Sequence, residues 1–259
     1  MADLDDGDMN WFEEPAGYYK DEGKPSEVDH TTLSGEILHL HLTSQNPLWG
    51  HLLWQAGRVV ADHLEANKHE YVRNKTILEL GAGAGLPSLI CAINGAEYVV
   101  VTDYPDAALI ENLHANIETC SLLPTPATNI AATGYLWGAD TTELVKHLNT
   151  AQQDVGFDIL ILADLLFNHS EHVKLLWTIQ QTLKKSVDAQ ALVFFTPYRP
   201  WLLEKDLAFF ELARAGGFAV EKILENIMDK VMFEEDPGDE MLRRTVFGYR
   251  LRWQEFHAE

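Results

Sequence analysis

Ile77-Leu78-Glu79-Leu80-Gly81-Ala82-Gly83-Ala84-Gly85-Leu86-Pro87-Ser88 joins a short apolar run to three glycines at alternate positions and then to a helix-compatible segment. A strand that ends in residues lacking Cβ can turn sharply and let a ligand approach bare peptide groups, while the N–H groups opening the next helix face the same space. The stretch therefore reads as strand, ligand-binding loop and helix. Further on, Val99-Val100-Val101-Thr102-Asp103 is a second buried-strand run ending in an acid. A carboxylate at that place can accept hydrogen bonds from both ribose hydroxyls of a nucleoside. The dinucleotide fingerprint Gly-x-Gly-x-x-Gly would need glycine at position 86, which is Leu. The departure favours an adenosine-containing ligand other than a nicotinamide dinucleotide.

Outward from this pair, strands and helices alternate. Strands are expected at 76–81, 97–102, near 130–136, 157–163 and 191–196, and helices at 86–94, 106–119, 141–149, 171–185 and 204–215. That order is the signature of a doubly wound, mostly parallel α/β sheet covered on both faces. Two further strands, near 218–227 and 243–253, flank the acidic turn Glu234-Glu235-Asp236-Pro237-Gly238-Asp239-Glu240. Upstream, Leu38, Leu40 and Leu42 alternate with His39 and His41 as in a half-exposed strand with the histidines on its wet side. Leu52, Leu53, Ala56, Val59, Val60 and Leu64 form a helical stripe over 51–68. Residues 1 to about 30 are acidic, rich in Gly and Pro and without periodicity, and read as a largely flexible arm; within it Trp11 and Phe12 are expected to dock on the domain. Residues 31–259 then make a single domain, in keeping with the size of one α/β unit.

A net charge of −21 disfavours nucleic acid and anionic membrane as partners and would steer a basic protein or peptide inward; the plainer reading is that it only keeps the chain soluble. Cys91 and Cys120 are too few for a disulfide framework. The opening residues Asp3, Asp5, Asp6 and Asp8 stand where a secretory leader would be basic, and no apolar run approaches the roughly 20 residues that span a bilayer. The cytoplasm is the expected location. His169 and His172, like His39 and His41, lack the Cys or carboxylate partners of a zinc site, so no metal is expected. A hydrolase elbow, a Walker loop and a calcium loop are likewise missing from the sequence.

Glu79-x-Gly81-x-Gly83-x-Gly85 followed by a strand-end acid resembles motif I and its sequel in seven-β-strand S-adenosylmethionine-dependent methyltransferases. The blocks Pro47-Leu48-Trp49-Gly50-His51-Leu52-Leu53-Trp54, Thr102-Asp103-Tyr104-Pro105-Asp106, Gly134-Tyr135-Leu136-Trp137-Gly138, Asp164-Leu165-Leu166-Phe167-Asn168-His169 and Thr196-Pro197-Tyr198-Arg199-Pro200 resemble one subgroup, the fungal protein N-terminal and lysine N-methyltransferases of translation elongation factor 1-alpha. The likeness runs from about Trp11 onward. It implies a Rossmann-like class I fold of seven strands with an antiparallel C-terminal edge, S-adenosylmethionine as cofactor, and elongation factor 1-alpha as the basic protein partner; a monomer is the expected state.

By the same resemblance, Gly81, Ala82 and Gly83 would lie against the methionine portion of the cofactor, Glu79 would help fix its amino group, Asp103 would hold the ribose, Trp137 and Ala163 would border the adenine, and Trp54 would lie beside it. Asp164 and Phe167 match the acidic-x-x-aromatic motif at the acceptor channel, with Phe where many relatives carry Tyr, so no role needing a phenol transfers. Asp164 is expected at the rim, pairing with an ammonium; Trp49, Tyr198 and Arg199 are expected around the acceptor. The residues alone leave plainer readings open: Asp103 could cap the helix after Pro105, Asp164 could cap the helix that follows it, and Trp137 could be ordinary core. A small-molecule amine methyltransferase and a cofactor-binding scaffold without catalysis remain alternatives at this level.

Overall fold

A computed structural model describes residues 26–44, 50–148 and 156–256. Strands β1 (Ser26–Thr31) and β2 (Ile37–Leu42) form a separate antiparallel hairpin, with Ser26 opposite Leu42 and Thr31 opposite Ile37. Leu38, Leu40 and Leu42 are buried while His39 stands in solvent, as the alternation requires. Ser26 to His30 were assigned to the flexible arm by composition. They are a strand instead, because β2 supplies the ladder partners that a lone polar segment lacks; Trp11 and Phe12 lie outside the described residues. The carboxylate of Glu65, itself buried, accepts the N–H groups of Leu33 and Ser34 and so fastens the hairpin turn to the first helix.

The remaining strands are β3 (Thr76–Leu80), β4 (Tyr98–Asp103), β5 (Ile130–Gly134), β6 (Ile159–Ala163), β7 (Gln190–Phe195), β8 (Phe218–Ile227) and β9 (Thr245–Trp253). The helices are α1 (Gln55–Ala66), α2 (Lys68–Tyr71), α3 (Leu86–Ile93), α4 (Ala107–Thr119), α5 (Thr142–Val145), α6 (His172–Thr182), α7 (Leu203–Ala215) and α8 (Glu240–Arg243). The seven strands lie in one sheet in the order β5-β4-β3-β6-β7-β9-β8. Neighbours from β5 to β7 are parallel; β9 runs antiparallel to both β7 and β8, so the reversed strand sits one place in from the edge.

Both faces of the sheet are covered, and the strands show it by period two. Ile77, Val99, Val101, Ile159, Ile161, Leu192 and Phe194 pack with α1 and α3 on one side. Their sequence neighbours Leu78, Val100, Leu160, Leu162, Ala191, Val193 and Phe195 pack with α6 and α7 on the other. The chain leaves β3 towards β4 and β5 in one direction and returns through β6 towards β7 in the other. The switch point therefore lies between the carboxyl ends of β3 and β6, where a doubly wound sheet opens a crevice for a ligand.

Candidate active site

The crevice is built from the glycine turn. Gly81, Gly83 and Gly85 have φ of +60°, +57° and +75°, a region closed to most side chains. Ala82 N–H donates to the Thr102 carbonyl at 2.9 Å and Gly85 N–H to the Ala82 carbonyl at 2.8 Å, so the turn is stitched to β4 and to itself. A Cβ built on Gly81 would come within 2.6 Å of Leu165 and 3.2 Å of Trp137, whereas one on Gly83 would meet nothing within 4 Å. Gly57, buried in the first turn of α1, also has open space where a side chain would go. Gly81 is thus required by packing, and Gly83 leaves bare backbone beside free volume. Gly81→Ala is expected to lower the unfolding free energy by about 2–4 kcal/mol through strain and overlap, read from denaturant titration.

Glu79, one residue before the end of β3, is 1% exposed, and its Oε2 accepts both the N–H and the hydroxyl of Ser88 at the start of α3. Burial pushes its carboxyl up to about 8 against the pull of those two bonds. The folded chain therefore keeps a proton that the unfolded chain has already released, and stability falls as pH rises from about 4.5 towards 8. Glu79→Gln keeps an acceptor for Ser88 without the charge. Denaturant unfolding of this variant should show a gain on the order of 3 kcal/mol over wild type at pH 8 that shrinks towards pH 5, together with weaker cofactor binding.

Asp103 ends β4 as expected. Its Oδ2 accepts Gly83 N–H at 2.7 Å and its Oδ1 accepts Tyr104 N–H at 2.6 Å, and burial raises its pKa against those bonds. It does not cap the next helix: Asp106 does, accepting from Ala108 and Leu109. Trp137 follows β5 half-buried with its ring towards Gly81, and Ala163 ends β6 beside Phe194 of β7. Asn116 of α4, which sequence reading missed, ties β2 to the loop: its amide donates to the carbonyls of His41 and Ala84, and its oxygen accepts His41 N–H. Its only signal in the sequence is a polar residue on the inner face of an amphipathic helix.

The segment expected to border the acceptor differs from expectation in one respect. Sequence reading expects Asp164 at the rim, pairing with an ammonium; it is 7% exposed with its carboxylate turned inward. Oδ2 accepts Ala56 N–H at 3.0 Å and the Tyr198 hydroxyl at 3.3 Å, and Oδ1 accepts Thr196 N–H at 2.7 Å. The reason is backbone geometry. Asp164 has φ of +54°, which turns its side chain away from the strand direction, towards the N-terminus of α1 and the end of β7. Burial pushes its carboxyl up to about 7. Tyr198 in turn lies 5.1 Å from Trp54, centroid to centroid, and each is 6.0 Å from Phe233. Phe167 is 45% exposed, and Arg199, also exposed, donates to its carbonyl at 2.9 Å. Trp49 lies outside the described residues.

His169 and His172 are each engaged by a neighbouring group. His169 pairs with Asp206 at 2.7 Å, and the buried His172 donates from Nε2 to the Leu166 carbonyl at 2.8 Å. Among the described residues no cluster of His, Cys, Asp and Glu fits a metal ion, and no helix is long and apolar enough to cross a membrane. Cys91 and Cys120 are free and buried.

A glycine turn and a strand-end acid at the switch point of this mixed seven-stranded sheet define a Rossmann-like methyltransferase fold. Solved structures share it: YcgJ from Bacillus subtilis (TM-score 0.54, 13% identity, 74% of this chain and 97% of that one) and TYW2 from Pyrococcus horikoshii in complex with MeSAdo (TM-score 0.53, 14% identity, 90% and 73%). The sequence profile of the lysine methyltransferase family matches residues 33–215. Over 255 residues the chain is 46% identical to the Emericella nidulans protein named "Protein N-terminal and lysine N-methyltransferase efm7", covering 98% of each. It is 44% identical to the protein of that name in Schizosaccharomyces pombe, covering 97% of this chain and 98% of that one. The chain belongs to the lysine methyltransferase family and is a protein methyltransferase.

Proposed function

We propose that the protein methylates translation elongation factor 1-alpha at its N-terminal α-amine, the adjacent lysine or both, with residues 31–259 as the working domain of a monomeric cytoplasmic enzyme. The observation that carries the site assignment is the Asp103–Gly83 contact: a carboxylate fixed at a strand end, 2.7 Å from the bare backbone of a left-handed turn that borders open volume. These residues fit S-adenosylmethionine. Asp103 has lone pairs left for two ribose hydroxyls, and Trp137 and Ala163 flank the strand ends where a flat base can lie; Glu79, expected to fix the amino group, is buried and bonded to Ser88 and so supports the turn from beneath.

When bound, S-adenosylmethionine supplies an electrophilic methyl on its sulfonium. The chain's own residues need only orient the partner and keep water out, because alignment alone can contribute about 7–11 kcal/mol. An α-amine, with a reference pKa near 7.7–8.0, is already partly neutral at physiological pH, whereas a lysine near 10.4 must be deprotonated. Carboxylates attract a cationic acceptor but also raise its pKa. In this reading the two effects are kept apart: Glu234, Glu235 and Asp236 are exposed, while Asp164, bonded to the Tyr198 hydroxyl, is internal and already satisfied. Trp54, Tyr198 and Phe167, on the same reading, offer an apolar surface that favours the neutral amine, Arg199 stands beside Phe167, and Trp49 is assigned to the acceptor by resemblance alone.

The deciding experiment incubates the protein with methyl-labelled S-adenosylmethionine and a lysate lacking endogenous activity. Label on elongation factor 1-alpha at its N-terminal residue or adjacent lysine is the expected result. Label confined to small molecules, or on a different protein, overturns the substrate assignment.

A further inference from the structure

The segment between β8 and α8 was read from sequence only as an acidic turn. In the structure it delivers Phe233 to the acceptor side, where its ring meets Trp54 and Tyr198 edge-on at 6.0 Å each. Two side chains that are themselves almost wholly buried hold it there. Gln55, 9% exposed, donates from Nε2 to the Lys230 carbonyl at 2.8 Å. Arg243, 7% exposed, donates from Nη1 to the Phe233 carbonyl at 2.7 Å. An amide and a guanidinium buried this far cost free energy unless they find acceptors, and the two loop carbonyls are those acceptors, so the segment is pinned at Lys230 and Phe233.

The attachment points show what it is pinned to. Gln55 opens α1 directly after Trp54, and its N–H lies 3.4 Å from the Tyr198 hydroxyl, which donates to Asp164. One connected set thus runs from the end of β6 through Tyr198 and α1 to the β8–α8 segment. We propose that Phe233 is a specificity-determining residue for the acceptor: with Trp54 and Tyr198 it completes the apolar wall against which the acceptor's terminal residues lie, and Gln55 and Arg243 are its positioning residues. The acceptor class that such a wall of aromatic rings fits is a short, extended peptide end, whose apolar groups can lie against the rings. The inference rests on the reading that this site transfers a methyl group to a protein amine.

The test uses the full chain and recombinant elongation factor 1-alpha as the probe, or whichever protein the wild type labels in lysate. Phe233→Ala should raise KM for the protein acceptor 10-fold or more, with kcat changed less than threefold and the dissociation constant of S-adenosylhomocysteine within twofold by calorimetry. Phe233→Leu should restore most of the KM. Gln55→Leu, which frees the Lys230 carbonyl without touching the ring, should raise KM in the same direction. Unchanged KM in both Phe233→Ala and Gln55→Leu overturns the inference while leaving the methyl transfer standing. A wild-type chain that labels no protein overturns both. A Phe233→Ala chain with lost secondary structure by circular dichroism passes the decision to Gln55→Leu.

Discussion

Asp103→Ala is expected to weaken binding of S-adenosylmethionine by at least 100-fold in calorimetry while leaving the sheet folded. The magnitude follows from the two hydroxyls at stake. A hydrogen bond to a charged group contributes about 1.5–3 kcal/mol, so losing two costs about 3–6 kcal/mol, and each 1.4 kcal/mol is tenfold in affinity. The substitution also frees the N–H groups of Gly83 and Tyr104, which Asp103 now accepts at 2.7 and 2.6 Å, so the glycine turn loosens at the place where the ligand must meet it. Stability should change little, because removing a carboxylate whose pKa burial raises offsets the two lost bonds. Asp103→Asn keeps one acceptor oxygen and should fall between the two. A dissociation constant unchanged in Asp103→Ala would place the ribose elsewhere and remove the basis of the site assignment.

Asp164→Asn tests the other half of the site. The two residues have the same shape, and asparagine tolerates a left-handed φ well, so the backbone at +54° is not disturbed. What changes is one acceptor. Oδ1 takes Thr196 N–H, and Oδ2 takes Ala56 N–H and the Tyr198 hydroxyl, so whichever way the amide turns, its NH2 faces a donor. A buried donor left unpaired costs about 1–3 kcal/mol, and two are set against each other here. The expected loss is about 2–4 kcal/mol, which for a chain of this size lowers Tm by roughly 5–12 °C. The deficit depends on pH in a definite direction. In the wild type the carboxyl is pushed up to about 7, so its folded form is most favourable below the unfolded value near 4 and loses that advantage as pH rises to 7. The amide does not titrate. The gap between the two proteins should therefore be wider at pH 5 than at pH 8. In activity, kcat should fall at least tenfold through misplacement of Tyr198 and the start of α1, with cofactor affinity within a few-fold. Wild-type Tm and turnover would show that the inward carboxylate is dispensable.

The fold was legible because its signals are local. Alternating apolar runs, glycines at 81, 83 and 85, and an acid at 103 mark strand ends by residue type and spacing, and the structure sets each at the carboxyl rim. What the sequence hides is direction. Asp164 reads as a rim acid because Asp164-Leu165-Leu166-Phe167 resembles the acidic-x-x-aromatic motif bordering an acceptor channel, yet its left-handed backbone points it inward, and no spacing rule reports a positive φ at a non-glycine residue. Phe233 escaped notice for a related reason. It lies between apolar neighbours and a run of acids, and only the pairing of β8 with β9 and the grip of Gln55 and Arg243 bring it 6.0 Å from Trp54, nearly 180 residues away in the chain. The boundary of the arm failed because a strand's existence was decided by its partner: Ser26–Thr31 has little apolar character of its own and takes its form from β2. The position of β9 inside the sheet, with β8 outside it, is likewise a matter of pairing that composition does not record.

That arrangement of β9 constrains how the protein is made. Until residues 245–253 have left the ribosome, β8 has no neighbour to bond with and β7, every residue of which is buried in the finished molecule, is an open flank of bare amides and aromatics. From the emergence of β7 until β9 follows it the nascent enzyme carries this adhesive seam, and Trp253, whose indole donates to the Lys184 carbonyl at 2.9 Å, is the clasp that shuts it.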